Sequence, residues 1–415
     1  MALLAAATCP ADDADEAALK LADQALVAPE PGNRRDWQLS VEPALLWARL
    51  RAEGVTQPAQ RLSLDFSWQG ELALGWRVVA SDRLDLYGPA RAPGEREAVN
   101  TSKELYLSTR VGPEVIVDLG RVNARQGVAS GFNPTDYFRD RAVRSETSVN
   151  PASLRENRLG TVMLRGQRVW TGGSVSAIVA PKLADAANDA PFGADLGATN
   201  QRSRWLLSWS QRFGDDFAPQ WLLYGDRDAA SRPQLGLNLT RLLSSACVGH
   251  LEASGGRSPS LQARAQQQAR RDVRFRTQWA SGLTCTNAHK LSLTLEFQRN
   301  GAALDKPGWD ALQAGPLADY LAYRQQAQTR QEPVTRNNLF VYALWQNAFM
   351  PRLDLSGFLR QNLADHSRLS WLEARYRLDS TDVAVQWQMS AGSRLSEYGA
   401  MPQRQMWQVL LKHFF

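Results

Sequence analysis

The sequence is short of the residues from which most enzyme sites are built. It holds 4 histidines and 3 cysteines in 415 residues. There is no C-x-x-C pair, and Cys247 and Cys285 with the nearby His250 and His289 fit no common zinc spacing. No P-loop and no dinucleotide-binding fingerprint occurs. A Ser/His or Asp/His mechanism needs a positioned histidine. Only Asp365-His366, in "NLADHSR", stands where a solute could reach it, and a solvated turn histidine is the plainer reading. The expectation is a protein without catalytic residues, metal or cofactor.

Long apolar runs are also missing. No stretch of 18 or more apolar residues exists, which excludes a transmembrane helix. It does not exclude a membrane protein. A transmembrane barrel shows lipid only every second residue, so its average stays polar. Mean hydropathy here is −0.38. Clustered charge is missing too. Net charge is +6 and the isoelectric point is about 9.4, but the basic residues, mostly arginine, are interspersed with acids. A nucleic-acid binder concentrates them on one element, so nucleic acid is not the expected partner.

What is present is alternation. Leu62, Leu64, Phe66 and Trp68 alternate with Ser63, Asp65 and Ser67. Leu72, Leu74, Trp76 and Val78 continue the pattern. It recurs at Leu291–Phe297, Leu372–Leu378 and Val383–Met389. Side chains of a strand point alternately to opposite faces. About eighteen such segments can be counted (sixteen remain compatible), each about ten residues long, the length a tilted membrane-spanning strand needs. The first, over 37–48, contains Pro43 and is the least regular. Helical pattern is confined to 14–26 and 309–328. The 14 tryptophans suit the headgroup zone, where an indole is half in oil.

The connections alternate short and long. "RVGP" at 110–113 is short and 123–157 is long; "WTGG" at 170–173 is short and 183–202 is long; "CTNAH" at 285–289 is short and 300–335 is very long. A soluble sandwich has no reason to collect its long loops at one end. The expected fold is all-β: a single transmembrane antiparallel β-barrel with short periplasmic turns and long extracellular loops. The barrel is assigned to 31–415, and 1–30 to a signal-peptide remnant and periplasmic segment, since "ALLAAAT" reads as the apolar part of a secretory signal.

The chain ends "RQMWQVLLKHFF". Trp407, Val409, Leu411 and Phe415 share one face and resemble the C-terminal signature of bacterial outer-membrane proteins; His413 departs from it. The resemblance implies the barrel-assembly machinery as a partner, with those four residues as the assembly signal, and the outer membrane of a Gram-negative bacterium as the location.

Cys247 and Cys285 fall at the short-turn end of neighbouring strands. Adjacent strands are about 4.8 Å apart, within disulfide reach, and the periplasm is oxidising. A Cys247–Cys285 bridge is expected; two buried thiols are the alternative.

The segment 118–160 leaves one strand and returns much later. Loops this long are usually functional or disordered. Gly120, Arg121, Gly127, Asn133, Pro134 and Asp136 resemble the "G-R … G … N-P-x-D" stretch of a porin-like outer-membrane family. Asn133-Pro134 favours a turn, and Asp136 is expected to cap a helical turn starting at Tyr137. Arg121, Arg125, Arg139, Arg141, Arg144, Arg155 and Arg158 outnumber Asp136, Asp140, Glu146 and Glu156. Folded into the lumen, this segment narrows a pore and adds positive potential, which favours anions. A solvated loop with its arginines paired to those acids is the alternative. Arg274, Arg276, Glu296, Gln298, Arg360, Glu373, Arg375, Arg377, Gln386 and Gln388 are expected to face the lumen. In 309–328, Leu312, Leu317, Tyr320, Leu321 and Tyr323 are expected to share one helix face.

The function expected is passive diffusion of small solutes, narrowed by loop 122–157 and preferring anions. The alternative is an outer-membrane component of a polymer or lipid export system. Lipid and small solutes are the expected partners, and the class is compatible with a homo-oligomer.

Overall fold

The computed structural model describes residues 35–73, 75–88, 96–188, 190–214, 217–227 and 232–415. The helix expected at 14–26 and the 1–30 leader lie outside them. Eighteen strands run antiparallel, each beside its sequence neighbour: β1 Trp37–Leu50, β2 Thr56–Ala73, β3 Trp76–Tyr87, β4 Ala98–Val111, β5 Val115–Val122, β6 Thr161–Trp170, β7 Gly173–Ala180, β8 Arg204–Gln211, β9 Gln220–Asp226, β10 Gln234–Ser244, β11 Cys247–Ser258, β12 Arg274–Thr286, β13 Leu291–Asn300, β14 Asn337–Trp345, β15 Leu353–Asn362, β16 Arg368–Arg377, β17 Thr381–Ala391 and β18 Gln403–Phe414. β1 pairs with both β2 and β18, so the sheet closes and leaves no edge. The fold is a closed antiparallel β-barrel.

The turns after the even-numbered strands are mostly short. The loops after the odd-numbered strands include 123–160, 181–203, 259–273 and 301–336. The alternation found in the sequence sorts side chains between the two surfaces. In β17, Val383 and Val385 are 36% and 41% exposed, while Ala384 between them is fully buried. In β18, Trp407, Val409 and Leu411 face outward with Phe415, while Gln408 and Leu410 are buried inside. All tryptophans except Trp309 and Trp371 lie on the outward face. Trp37–Trp68 and Trp209–Trp221 are register partners toward the short-turn end; Trp47, Trp407 and Trp387 are partners toward the other. This is the pair of aromatic girdles that a lipid-facing surface carries.

Two details differ from expectation, while Pro43 lies within the first strand as expected. The run Leu72–Val78 is not one strand: a tight turn separates Ala73 from Trp76, and the alternation keeps its phase through it. Pro43 sits inside β1, and the β1–β18 register passes from Val41↔His413 to Ala44↔Leu410 with Glu42 and Pro43 unpaired. Proline has no N–H to give the ladder. The helical pattern at 309–328 is two helices, with Pro316 between them.

The helices sit in the loops: α1 Pro151–Glu156, α2 Leu196–Thr199, α3 Leu261–Ala265, α4 Lys306–Ala314 and α5 Leu317–Arg330, with a 3-10 turn at Ala269–Arg271. The break at Pro316 resets the helical phase. Leu312, Tyr320 and Tyr323 are buried with Trp309, but Leu317 and Leu321 point to solvent at 61% and 55% exposure. Cys247 and Cys285, register partners on β11 and β12, are joined by a disulfide at the short-turn end.

Candidate channel constriction

Loop 123–160 folds into the barrel. Its polar backbone must find partners there, because an unpaired buried N–H costs about as much as a lost hydrogen bond. Two wall carboxylates supply them. Glu252 on β11 and Glu296 on β13 alternate with outward leucines and point inward, both fully buried. Glu252 Oε2 accepts from the backbone N–H of Val128 and Ala129, each at 2.9 Å, and from Asn133 Nδ2 at 3.1 Å. Its Oε1 accepts from Thr135 N at 2.7 Å and Thr135 Oγ1 at 2.8 Å. Glu296 accepts from Ser130 N at 2.8 Å, Gly131 N at 3.1 Å and Phe132 N at 3.3 Å. Gln298 Nε2 braces Glu296 at 2.6 Å, and His250 Nε2 lies 3.2 Å from it. Arg360 on β15 donates to Gly131 O at 3.0 Å.

The loop leaves β5 and returns to β6, so these contacts carry it across the lumen. Tyr137 stacks on Tyr224 of β9, with centroids 4.3 Å apart, and its hydroxyl meets Ser254 at 2.8 Å. Phe138 is buried among Met163, Ile178, Leu206 and Leu222 of β6–β9. Farther on, Thr147 O accepts from Arg61 at 3.0 Å, and the Ser145 hydroxyl meets Tyr87 on the opposite wall. Two glycines make the approach possible. Gly127 has φ +95°, and a Cβ there would lie 2.5 Å from the Glu252 oxygens; at Gly131 it would strike Gln298 and Phe340.

The Asn133-Pro134 turn forms, closed by Asp136 N donating to Asn133 O. Asp136 caps no helix. Its carboxylate takes Arg158 in a two-point pair at 2.7 and 3.2 Å, both residues 2% exposed. A buried arginine fork outcompetes a turn N–H for a carboxylate.

The arginines separate into groups. Arg139, Arg141, Arg144, Arg155, Arg158 and Arg360 line a cavity of about 720 Å³ bounded by the inserted loop, with Asp136, Asp195, Glu332, Glu146 and Glu397 among the acids. Arg139 lies over the Phe132 ring at 5.1 Å and 3.6 Å from Glu332. Arg144 pairs with Asp195 at 3.7 Å. Arg141 is exposed within the cavity, its backbone in the left-handed region at φ 58°, and has no ion pair among the described residues. Burial pushes the Glu397 carboxyl up to about 7, against a hydrogen bond from Asn362, and burial also raises Glu146, opposed by Arg360.

The remaining expected residues sit elsewhere. Arg121 does not face the lumen. It is a register partner of the outward Leu105, and loop 181–203 covers it, with Ala194 O accepting at 2.5 Å. Arg125 is exposed and lies outside that cavity. Arg274 is 81% exposed at a strand end, beside Asp272. Arg276 points inward and is held by Asp272 at 2.9 Å. Arg375 is neutralised by Glu373 and Asp382 at 2.9 and 3.1 Å, and Arg377 pairs with Asp354. Gln386 and Gln388 face inward. His366 is an exposed turn residue, and Asp365 accepts from Trp309 Nε1 and Glu397 N, both at 2.8 Å. Glu252, Glu397 and Asp195 were not singled out from the sequence. The "HLEAS" pattern, with Glu252 between outward Leu251 and Ala253, is the signal that places an acid inside.

No family model matches the chain, and no curated protein matches its sequence. Solved structures do match. Pseudomonas aeruginosa OccK2 (OpdF), solved with glucuronate, is 10% identical, with 92% of this chain and 97% of that one covered at a TM-score of 0.56. Acinetobacter baumannii OccAB1 is 11% identical, covering 91% and 96%, also at 0.56. A BenF-like porin from Pseudomonas fluorescens Pf-5 is 10% identical, covering 92% and 98%, at 0.56. Nearly end to end, and at an identity that speaks only for architecture, the chain has the fold of these outer-membrane porin barrels.

Proposed function

We propose that the protein is an outer-membrane channel for passive diffusion of small solutes, and that it prefers anions. The observation that carries this reading is the inserted loop. It is fastened across the lumen by two wall carboxylates and bounds an arginine-lined cavity of about 720 Å³. A large barrel leaves an aqueous interior, and inward loops with lining charge select what enters. The OpdK structure with vanillate and the OccK2 structure with glucuronate show barrels of this fold holding small carboxylates.

The charge balance favours anions. Asp136, Asp195 and Glu332 are matched by arginines, whereas Arg141 is not. Burial pushes the Glu397 carboxyl up to about 7, so at neutral pH it carries only part of a negative charge, and burial raises the Glu146 carboxyl as well. A low-dielectric cleft with one excess sign raises the local concentration of the opposite ion.

The test is reconstitution in planar bilayers with a salt gradient across the membrane. The expected result is stable conductance with a reversal potential on the anion side, moved toward zero by Arg141→Gln. A folded barrel that passes no current would remove the channel reading and favour an export component plugged by loop 123–160. Conductance that is unselective and unmoved by the substitution would remove the anion preference alone.

A further inference from the structure

On the outward surface of the nine strands β10 to β18 there is no Asp or Glu; Glu252, Glu296, Asp354, Glu373 and Asp382 all point inward. Near the long-loop end of that surface stands a row of donors on four adjacent strands. Arg299 on β13 is the register partner of Asn337 on β14, and its guanidinium donates to Asn337 Oδ1 at 3.3 Å, which leaves the Asn337 amide N–H₂ facing away. Gln361 on β15 is the partner of Arg368 on β16. The partner of Gln361 on β14 is Leu339, two residues from Asn337, so the two pairs are diagonal neighbours. Diagonal neighbours on one face lie about 7–8 Å apart, and the whole row crosses three strand spacings, about 15 Å.

This row borders the apolar belt. Trp279, directly across from Arg299, packs on Phe297 with centroids 5.4 Å apart. Arg368 is exposed, and neither Arg299 nor Arg368 has a carboxylate partner among the described residues. An arginine at the lipid edge without a carboxylate has donors free for an anion from the membrane itself. Guanidinium groups grip phosphate through two parallel hydrogen bonds.

We infer that Arg299, Asn337, Gln361 and Arg368 form a docking site for a phosphorylated glycolipid of the leaflet on the long-loop side. The two arginines take its phosphates and the two amides its sugar hydroxyls. Trp279 and Phe297 lie against the start of its acyl chains. The inference concerns the outer surface and stands whether or not the lumen conducts.

The test uses the full chain in phosphatidylcholine vesicles with lipopolysaccharide added, in its phosphorylated and enzymatically dephosphorylated forms. Bound glycolipid is counted by native mass spectrometry after extraction. The expected result is retention of the phosphorylated form, weakened roughly fivefold for each arginine removed in Arg299→Gln and Arg368→Gln and only partly restored by the two Arg→Lys variants, which keep the charge but lose the two-point grip. Equal retention of the two forms, or undiminished retention by the double Gln variant, would overturn the site. Inorganic phosphate displacing the lipid completely would assign the row to a free anion. If the double variant does not assemble, Arg368→Gln alone, at the exposed position, decides the same question.

Discussion

Replacing Glu252 by Gln tests how the constriction is held. The carboxylate accepts five hydrogen bonds, three at one oxygen and two at the other. An amide keeps one acceptor and turns an N–H₂ toward the remaining donors. With the amide oxygen kept on Val128, Ala129 and Asn133, the N–H₂ can donate to the Thr135 hydroxyl, whose own proton then goes to Asn238 Oδ1 at 2.9 Å, so at least one buried donor, Thr135 N, loses its partner and faces another donor. That costs about 1–3 kcal/mol. With 1.4 kcal/mol per tenfold, the population of loop lifted from the wall rises roughly 5-fold or more. Glu296 still holds residues 130–132, so the double variant with Glu296→Gln frees the whole crossing. Trypsin reads the effect directly, because Arg139 and Arg141 lie in the loop and cleavage of a transiently opened segment tracks its population. The expected order is wild type slowest, Glu252→Gln faster, and the double variant fastest, with the barrel itself intact on unboiled gels. Equal cleavage of all three would refute the claim that these carboxylates fasten the loop.

Other outcomes follow from the same geometry. Gly127→Ala places a methyl group against the Glu252 oxygens at a positive φ, and should raise loop cleavage as Glu252→Gln does. Glu397 is neutral below about 7 and ionised above it, so anion selectivity should fall as pH rises through 7, and Glu397→Gln should remove that slope in reversal-potential measurements. The sign for stability agrees. A carboxyl raised from 4.5 gives its full contribution below 4.5 and loses it as pH passes 7, so loop 392–402 should become more protease-sensitive in mild alkali. Reducing the Cys247–Cys285 bridge releases a loop with a sequence separation of 38. Chain entropy sets the loss at up to about 4 kcal/mol, visible as a lower urea midpoint.

The barrel was legible because lipid enforces the alternation. An outward position tolerates few charges, so Val383, Val385 and Trp387 announce their face without help from neighbours. The site was legible only in part. Arg139, Arg141 and Arg144, singled out because an arginine-rich segment stood out, line the cavity beside the inserted loop. Arg121 was misplaced because its face depends on strand register, which no local pattern fixes. Asp136 was misassigned because its partner, Arg158, is distant in the chain and either bond satisfies it. The break at Pro316 was passed over because Leu312 and Tyr320 lie on the same side before and after it.

The pairing of β1 with β18 has a consequence for how the molecule comes together. Every other ladder joins strands that are neighbours in the chain, whereas Val41 meets His413 and Leu39 O accepts from Phe415 N at 3.0 Å. Closing so distant a contact is slow, because the entropy of a long loop is lost before the contact rewards it. A growing sheet therefore carries two open edges until β18 meets β1. The stretch at Glu42 and Pro43, unpaired with β18, interrupts that last seam near its short-turn end. Zippering is expected to start from the continuous run of partners between Ala44 and Arg49, away from the interruption.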